Sequence, residues 1–305
     1  MNNQPDAPLN NWIDRYCPLA ARPYAQLARL DRPIGWWLLV LPCWWSSCFA
    51  SIVAHTSPNW FHLGLFLIGA IAMRGAGSTW NDILDRDLDG KVERTKLRPL
   101  AKGALHVWQA AVFLGLQCLI GLAVLVQFNT FTIQLGLLSI VLVLIYPLMK
   151  RITNYPQIVL GAAFAWGGLM GWAALFGSLS LAPILLYVAA ILWTIGYDTI
   201  YALQDLEDDS LIGIGSTARA YGQNTPRFVA LCYLSATWLV LAAILVSRTL
   251  GWFTMLGVLA FALHLVWQIR AIRVNEPRIA LKLFKSNRLA GILLFAGFFV
   301  QAIRL

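Results

Sequence analysis

Charge is scarce in this chain. Of its 305 residues only 12% are Asp, Glu, Lys or Arg, and 59% are hydrophobic, with a mean hydropathy of +0.67. A soluble domain carries about 25% charged residues. A core of this length cannot bury so much apolar surface, so the solvent for much of it is lipid. Cysteine is also sparse. Cys17, Cys43, Cys48, Cys118 and Cys232 form no CxxC pair, and four of them lie in apolar runs, where Cys behaves as a small hydrophobe. The four histidines, His55, His62, His106 and His264, make no metal-ligand spacing. No Ser-His-Asp arrangement and no Gly-rich nucleotide loop is present. The first thirty residues lack the apolar core of a signal peptide. They also lack the Arg-rich, acid-poor character of an organelle leader. That favours a bacterial cell inner membrane. The net charge of +9 needs no nucleic-acid partner, because basic residues flanking membrane spans give the same excess.

What the chain does have is long apolar runs. At about 20 residues per membrane helix, they predict about nine spans. These are Ile34–Ala54, Trp60–Trp80, Leu105–Phe128, Phe131–Leu148, Gln157–Phe176, Ala182–Ala202, Phe228–Val246, Trp252–Trp267 and Arg288–Ile303. The reading is an all-α, polytopic membrane helix bundle: a cytoplasmic N-terminal arm over 1–30, then a single transmembrane domain over 31–305. Lys and Arg fall almost entirely in the N-terminal arm and the loops after even-numbered spans. Only Arg248 and Arg304 fall on the other side, and Arg74 lies within a span. This asymmetry predicts a cytoplasmic N-terminus.

The acidic residues are few and clustered. Five of the fourteen are Asp82, Asp85, Asp87, Asp89 and Glu93; five more lie between Asp198 and Asp209. Both clusters end even-numbered spans, so both are expected on the cytoplasmic side. Asn81, Asp85 and Asp89 are spaced i, i+4, i+8 and share a helix face. Asp198, Tyr201, Asp205 and Asp209 run i, i+3, i+7, i+11, again on one face if the helix continues. Like charges stacked this way repel and call for a cation. Asn81-Asp82-x-x-Asp85 also parallels Gln204-Asp205-x-x-Asp208, which suggests an internal duplication setting two metal sites across one pocket. Solvated loops are the plainer explanation for one such cluster, but not for two in helical phase on one side.

Two metal-binding acidic faces amid arginines describe a diphosphate clamp. Mg²⁺ typically binds through one or two carboxylates plus substrate phosphates, and it improves diphosphate as a leaving group. Arg32, Arg94, Arg98, Lys150 and Arg151 are candidates to stabilise the departing charge, with membrane anchoring as their ordinary alternative. An allylic diphosphate would ionise toward a carbocation, and its isoprenoid tail is itself lipid-soluble.

At these residues the sequence resembles the UbiA-type intramembrane prenyltransferases. The motifs are Arg29-Leu-Asp-Arg-Pro-Ile-Gly35, Asn81-Asp-Ile-Leu-Asp-Arg-Asp-Leu-Asp89 with Arg94-Thr-Lys-Leu-Arg-Pro-Leu100, Tyr146-Pro-Leu-Met-Lys-Arg151 and Tyr197-Asp-Thr-Ile-Tyr-Ala-Leu-Gln-Asp205. The last two are most similar to the branch that prenylates 4-hydroxybenzoate for ubiquinone. The resemblance implies nine spans around a central cavity. It implies Mg²⁺ held by Asn81, Asp85 and Asp89, with Asp82 beside them, and on the other side by Asp198, Asp205 and Asp209. It implies a polyprenyl diphosphate and an aromatic acid as substrates, with membrane lipid around the protein and no obligate protein partner. Asp85 and Asp198 are the expected catalytic carboxylates. Tyr201 joins Arg94, Arg98, Lys150 and Arg151 as a diphosphate-binding candidate, and Arg32 is the candidate for the acceptor's carboxylate. Family members acting on a naphthoate, homogentisate, haem or a glyceryl lipid share these motifs. A cation-coupled transporter would instead place its ionisable residues near the bilayer midplane. A purely structural protein leaves the acidic faces unexplained.

Overall fold

The computed structural model describes residues 11–90, 95–149, 152–206 and 215–305. All regular elements among them are helical. In order they are α1 (Trp12–Tyr16), α2 (Arg22–Leu27), α3 (Ile34–Val53), α4 (Trp60–Asp89), α5 (Val107–Leu125), α6 (Thr130–Met149), α7 (Pro156–Ala165), α8 (Gly167–Phe176) and α9 (Leu181–Ala202). There follow α10 (Thr217–Tyr221), a 3-10 turn over Gly222–Asn224, α11 (Thr225–Val246), α12 (Trp252–Ala271) and α13 (Pro277–Ile303). Among the described residues, nine helical stretches are long and apolar enough to cross a membrane.

Several helices outrun the apolar stretches that predict them. α4 has 30 residues, about 45 Å at 1.5 Å per residue, against a hydrocarbon core of about 30 Å. α13 begins at Pro277, eleven residues before Arg288, the expected start. Hydropathy marks where lipid ends, whereas backbone hydrogen bonding continues until a cap or a breaker stops it. Proline at the first turn opens α7, α11 and α13, where its missing N–H costs nothing. The fifth span is two ten-residue helices that meet at Trp166. That residue keeps helical backbone angles, and its indole donates to the carbonyl of Leu135 at 2.9 Å.

The chain divides into two compact units, Met1–Trp37 with Leu67–Gln127, and Leu38–Phe66 with Phe128–Leu305. In the first, Leu27, Leu100, Leu105 and Ala110 form a core that Tyr24, Ile83 and Phe113 extend. This core fastens the end of α2 and the loop before α5 to the last turns of α4. Gly35, in the first turn of α3, lies directly against the Arg74 guanidinium, and a Cβ there would overlap it. Arg74 therefore sits level with the start of a span, although the sequence places it inside one.

In the second unit α9 packs against α11, α7 and α13, and α12 packs along α13. A neutral polar network crosses these helices. The Asn287 side-chain oxygen accepts from Trp193 Nε1 at 2.9 Å. Tyr233 OH donates to Gln268 Oε1 at 2.8 Å, and Asn287 Nδ2 donates to the same oxygen at 3.3 Å. Small residues allow the closest approach. Gly257 of α12 and Gly297 of α13 face each other so tightly that a Cβ on either would lie 2.6–2.7 Å from the other's Cα. Such contacts let transmembrane backbones meet. Substituting Gly257→Leu should destabilise the protein by about 1–3 kcal/mol through overpacking, read as a lower melting temperature in detergent. An unchanged melt would show that the α12–α13 contact adjusts freely.

Candidate active site

In the first unit the site is built on the end of α4. The helix runs unbroken through the first acidic motif to Asp89, so helical phase applies to all of it. Burial selects Asp82, Asp85 and Asp89, which are 0%, 1% and 7% exposed. Asn81 is half-buried, and Arg86 and Asp87 face outward. The buried face is thus i, i+3, i+7 from Asp82. The expected i, i+4, i+8 face from Asn81 adjoins it, and Asp85 and Asp89 belong to both.

Three buried carboxylates on one face need cations, and arginines from two loops supply them. Arg29 Nη2 donates to Asp82 Oδ1 at 2.6 Å, and Arg98 Nη1 donates to the same oxygen at 3.1 Å. Arg98 Nη1 also reaches both oxygens of Asp89, at 3.0 and 2.8 Å. Thr95 Oγ1 donates to the Asp89 carbonyl at 3.0 Å, which fastens the loop carrying Arg98 to the helix end. Arg29 is buried, and that burial pulls its guanidinium below the ordinary value. Asp82 pushes it back up, while Arg98 and Arg32 pull it down again. Arg32 turns to its neighbour Asp31, with Nε and Nη2 donating to the two carboxylate oxygens at 3.1 and 3.0 Å.

The second unit carries Asp198 and Tyr201 on the last turns of α9. Tyr201 packs at a tilt against Phe284 with ring centroids 4.4 Å apart. One turn earlier, Tyr197 lies edge-on to Trp193 at 5.1 Å. α9 ends at Ala202, so the helical phase expected through Asp209 stops there. Leu203, Gln204 and Asp205 close the end with tightened i to i−3 bonds to Ile200, Tyr201 and Ala202. Asp205 therefore follows a bend rather than a helix face. Arg94, Lys150, Arg151 and Asp209 lie outside the described residues, as do Glu93, Glu207 and Asp208.

A divalent cation suits the donor set at α4. Among the described residues no three His, Cys, Asp or Glu side chains converge enough to hold a metal unaided. Mg²⁺ does not require that, since it takes one or two carboxylates and completes its shell with water and substrate phosphate. Asp82 Oδ2 is buried and, among the described residues, meets no hydrogen-bond donor. Hard, anionic oxygen without a donor is what such an ion accepts.

The model of the UbiA prenyltransferase family matches residues 39–300. The chain belongs to this family. A mitochondrial 4-hydroxybenzoate polyprenyltransferase of Drosophila melanogaster is 49% identical over 91% of this chain and 71% of its own length. One from Arabidopsis thaliana is 44% identical over 94% and 70%. Among solved structures, the apo form of a UbiA homolog from Aeropyrum pernix K1 superposes with a TM-score of 0.73 at 24% identity, covering 87% of this chain and 97% of that one. A UbiA homolog from Archaeoglobus fulgidus, bound to GPP and Mg²⁺, gives 0.68 at 19% identity, covering 92% and 99%. The fold is therefore that of the family. The expected bacterial inner membrane is overturned, because these relatives are mitochondrial enzymes of eukaryotes. That expectation rests on the composition of the first thirty residues, which does not say which membrane holds the spans.

Arg29 is the functional candidate that sequence reading passed over. Four arginines precede the first span, and the positive-inside rule explains any of them equally well. The available signal was Asp82, a carboxylate beside a membrane span that needs a counter-ion. Removing that carboxylate tests the network. Asp82→Ala, which removes the carboxylate that pairs with buried Arg29, should cost about 3–5 kcal/mol. Asp87→Ala, which breaks an exposed pair with Arg86, should cost no more than about 1 kcal/mol. Thermal unfolding of the two variants measures the contrast, and equal losses would mean the buried network is not what holds this end of α4.

Proposed function

We propose that this chain transfers a polyprenyl group from polyprenyl diphosphate to the ring carbon ortho to the hydroxyl of 4-hydroxybenzoate, releasing diphosphate, with Mg²⁺ as cofactor. The observation that carries this reading is the likeness of 49% and 44%, sustained over nine-tenths of the chain, to enzymes named for that reaction. The buried carboxylates of α4 and the arginines bound to them support it chemically.

Asn81, Asp85 and Asp89 would hold the metal in the first unit, with Asp82 beside them; Asp198, Asp205 and Asp209 would do so in the second. When bound, the ion screens the diphosphate and makes it a better leaving group. Arg98 adds fixed positive charge where the bridging oxygen gains electrons. In the reaction the C1–O bond of the prenyl diphosphate breaks and its electron pair leaves with diphosphate. The ring carbon forms a bond to C1. Its proton then passes to a base, for which Asp198 is the candidate, and aromaticity returns. Arg94, Lys150, Arg151 and Tyr201 complete the proposed contacts to diphosphate. Arg32 is the proposed partner of the acceptor's carboxylate, and its present bidentate pairing with Asp31 has the geometry that a carboxylate ligand would take.

Membranes carrying the chain should form prenylated 4-hydroxybenzoate when Mg²⁺ is supplied and none in excess EDTA. Asp85→Ala and Asp198→Ala should each lower turnover by about a hundredfold or more with folded protein retained. Full turnover by either variant, or in EDTA, sinks the mechanism. Arg32→Gln should raise KM for 4-hydroxybenzoate about tenfold, the loss of one charge-assisted pair, and leave KM for the prenyl diphosphate in place. A change confined to the prenyl substrate would move Arg32 to the other side of the reaction.

A further inference from the structure

Arg29 occupies a backbone position that chemistry normally gives to glycine. α2 ends at Leu27, and Ala28 is its C-cap. Leu30 N–H bonds the Ala25 carbonyl at 3.0 Å, and Arg29 N–H bonds the Gln26 carbonyl at 3.1 Å. That pair of bonds is a Schellman motif, whose residue after the cap is left-handed and usually Gly. Here it is Arg29, with φ 57°. His55 and Arg248 take the same conformation after α3 and α11, so what sets Arg29 apart is what its side chain meets.

What fixes it is on both sides of the guanidinium. Nη1 donates back to the Gln26 carbonyl at 3.0 Å, and Nη2 donates to Asp82 Oδ1 at 2.6 Å. The oxygen that receives Arg29 is the one that receives Arg98, and Arg98 goes on to Asp89. The four groups thus form one connected chain, Arg29–Asp82–Arg98–Asp89, in which Arg98 alone is partly exposed. With Arg29 in place, the Asp82 carboxylate has one orientation, and Arg98 meets a fixed acceptor. Without it, Arg98 would face an acceptor free to rotate.

We propose that Arg29 is a positioning residue of the diphosphate site, acting through Asp82 to set where the Arg98 guanidinium stands. This rests on the reading of Arg98 as a diphosphate ligand. Arg29 itself does not touch substrate in this assignment. Its strained backbone and its two anchors serve to hold Asp82 rather than to bind anything directly.

Arg29→Gly is the decisive variant, because glycine suits the Schellman position and keeps the cap of α2 while removing the guanidinium. The full chain, purified in detergent, is titrated with a short allylic diphosphate in EDTA and again in Mg²⁺, and its steady-state kinetics are measured. Arg29→Gly should weaken diphosphate binding about tenfold in both media, the usual scale for loss of an outer-shell partner. KM for 4-hydroxybenzoate should move by no more than about twofold. Arg98→Gln should weaken binding as well, and the double variant should bind no worse than Arg98→Gln alone, since coupled groups are not additive. Guanidinium ion added to Arg29→Gly should recover part of the lost affinity. If the glycine variant does not fold, Arg29→Lys carries the same test at smaller amplitude. Losses that add in the double variant would make Arg29 an independent ligand and overturn the assignment, as would wild-type affinity in Arg29→Gly. A wild-type chain that binds no allylic diphosphate would overturn the underlying function and this inference with it.

Discussion

Asp82 has no exposure to solvent, and a carboxylate in that position must either meet cations or give up its charge. Much of the first unit's organisation around the end of α4 follows from that demand. The helix end is held by residues from two other segments, Arg29 after α2 and Arg98 in the loop before α5, and both converge on one oxygen. Buried ion pairs are poor net sources of stability, because desolvation offsets much of the attraction. What they give is uniqueness of geometry, since any displacement leaves a charge buried and unmatched. A site that must receive a multiply charged leaving group needs this more than it needs extra stability.

The number of spans was legible because lipid imposes a simple rule on length and polarity. The ends of the helices were not, since charged residues stop a hydropathy count without stopping a helix. α4 continues nine residues past the expected Trp80, and those nine carry the acidic motif. α13 begins with Pro-Arg-Ile-Ala-Leu-Lys, a segment too polar to read as membrane and well suited to helix. Conversely α9 stops at Ala202, although the spacing of Asp198, Tyr201, Asp205 and Asp209 is helical. Periodicity alone does not reveal that the last bonds tighten into a turn.

The candidate site was legible in its acids and incomplete in its bases. A carboxylate at a membrane border is rare enough to stand out, and both clusters did. Basic residues at the same border are abundant for reasons of topology, so charge alone did not separate Arg29 from Arg15 or Arg22. The structure separates them: Arg29 is 7% exposed, whereas the Arg22 side chain turns back to the carbonyls of Cys17 and Asp14 within the arm. Burial, which sequence does not display, is what distinguishes a counter-ion from an anchor.

The two units solve the problem of polarity in lipid differently, and the difference follows from charge. In the first, Asp82, Asp85 and Asp89 lie at the end of α4, and Arg74 lies level with the first turn of α3. Ionised groups are confined to helix borders, where the cost of holding charge is lowest. In the second, Trp193, Tyr233, Gln268 and Asn287 of α9, α11, α12 and α13 are neutral and joined by mutual hydrogen bonds. Neutral amides satisfy one another without a counter-ion. They also fix the rotation of α9, because Trp193 is held by Asn287 and Tyr197 packs edge-on against Trp193. Rotation of that helix sets the direction of Asp198, one residue beyond Tyr197. An uncharged network therefore performs for the second carboxylate motif the orienting task that arginines perform for the first.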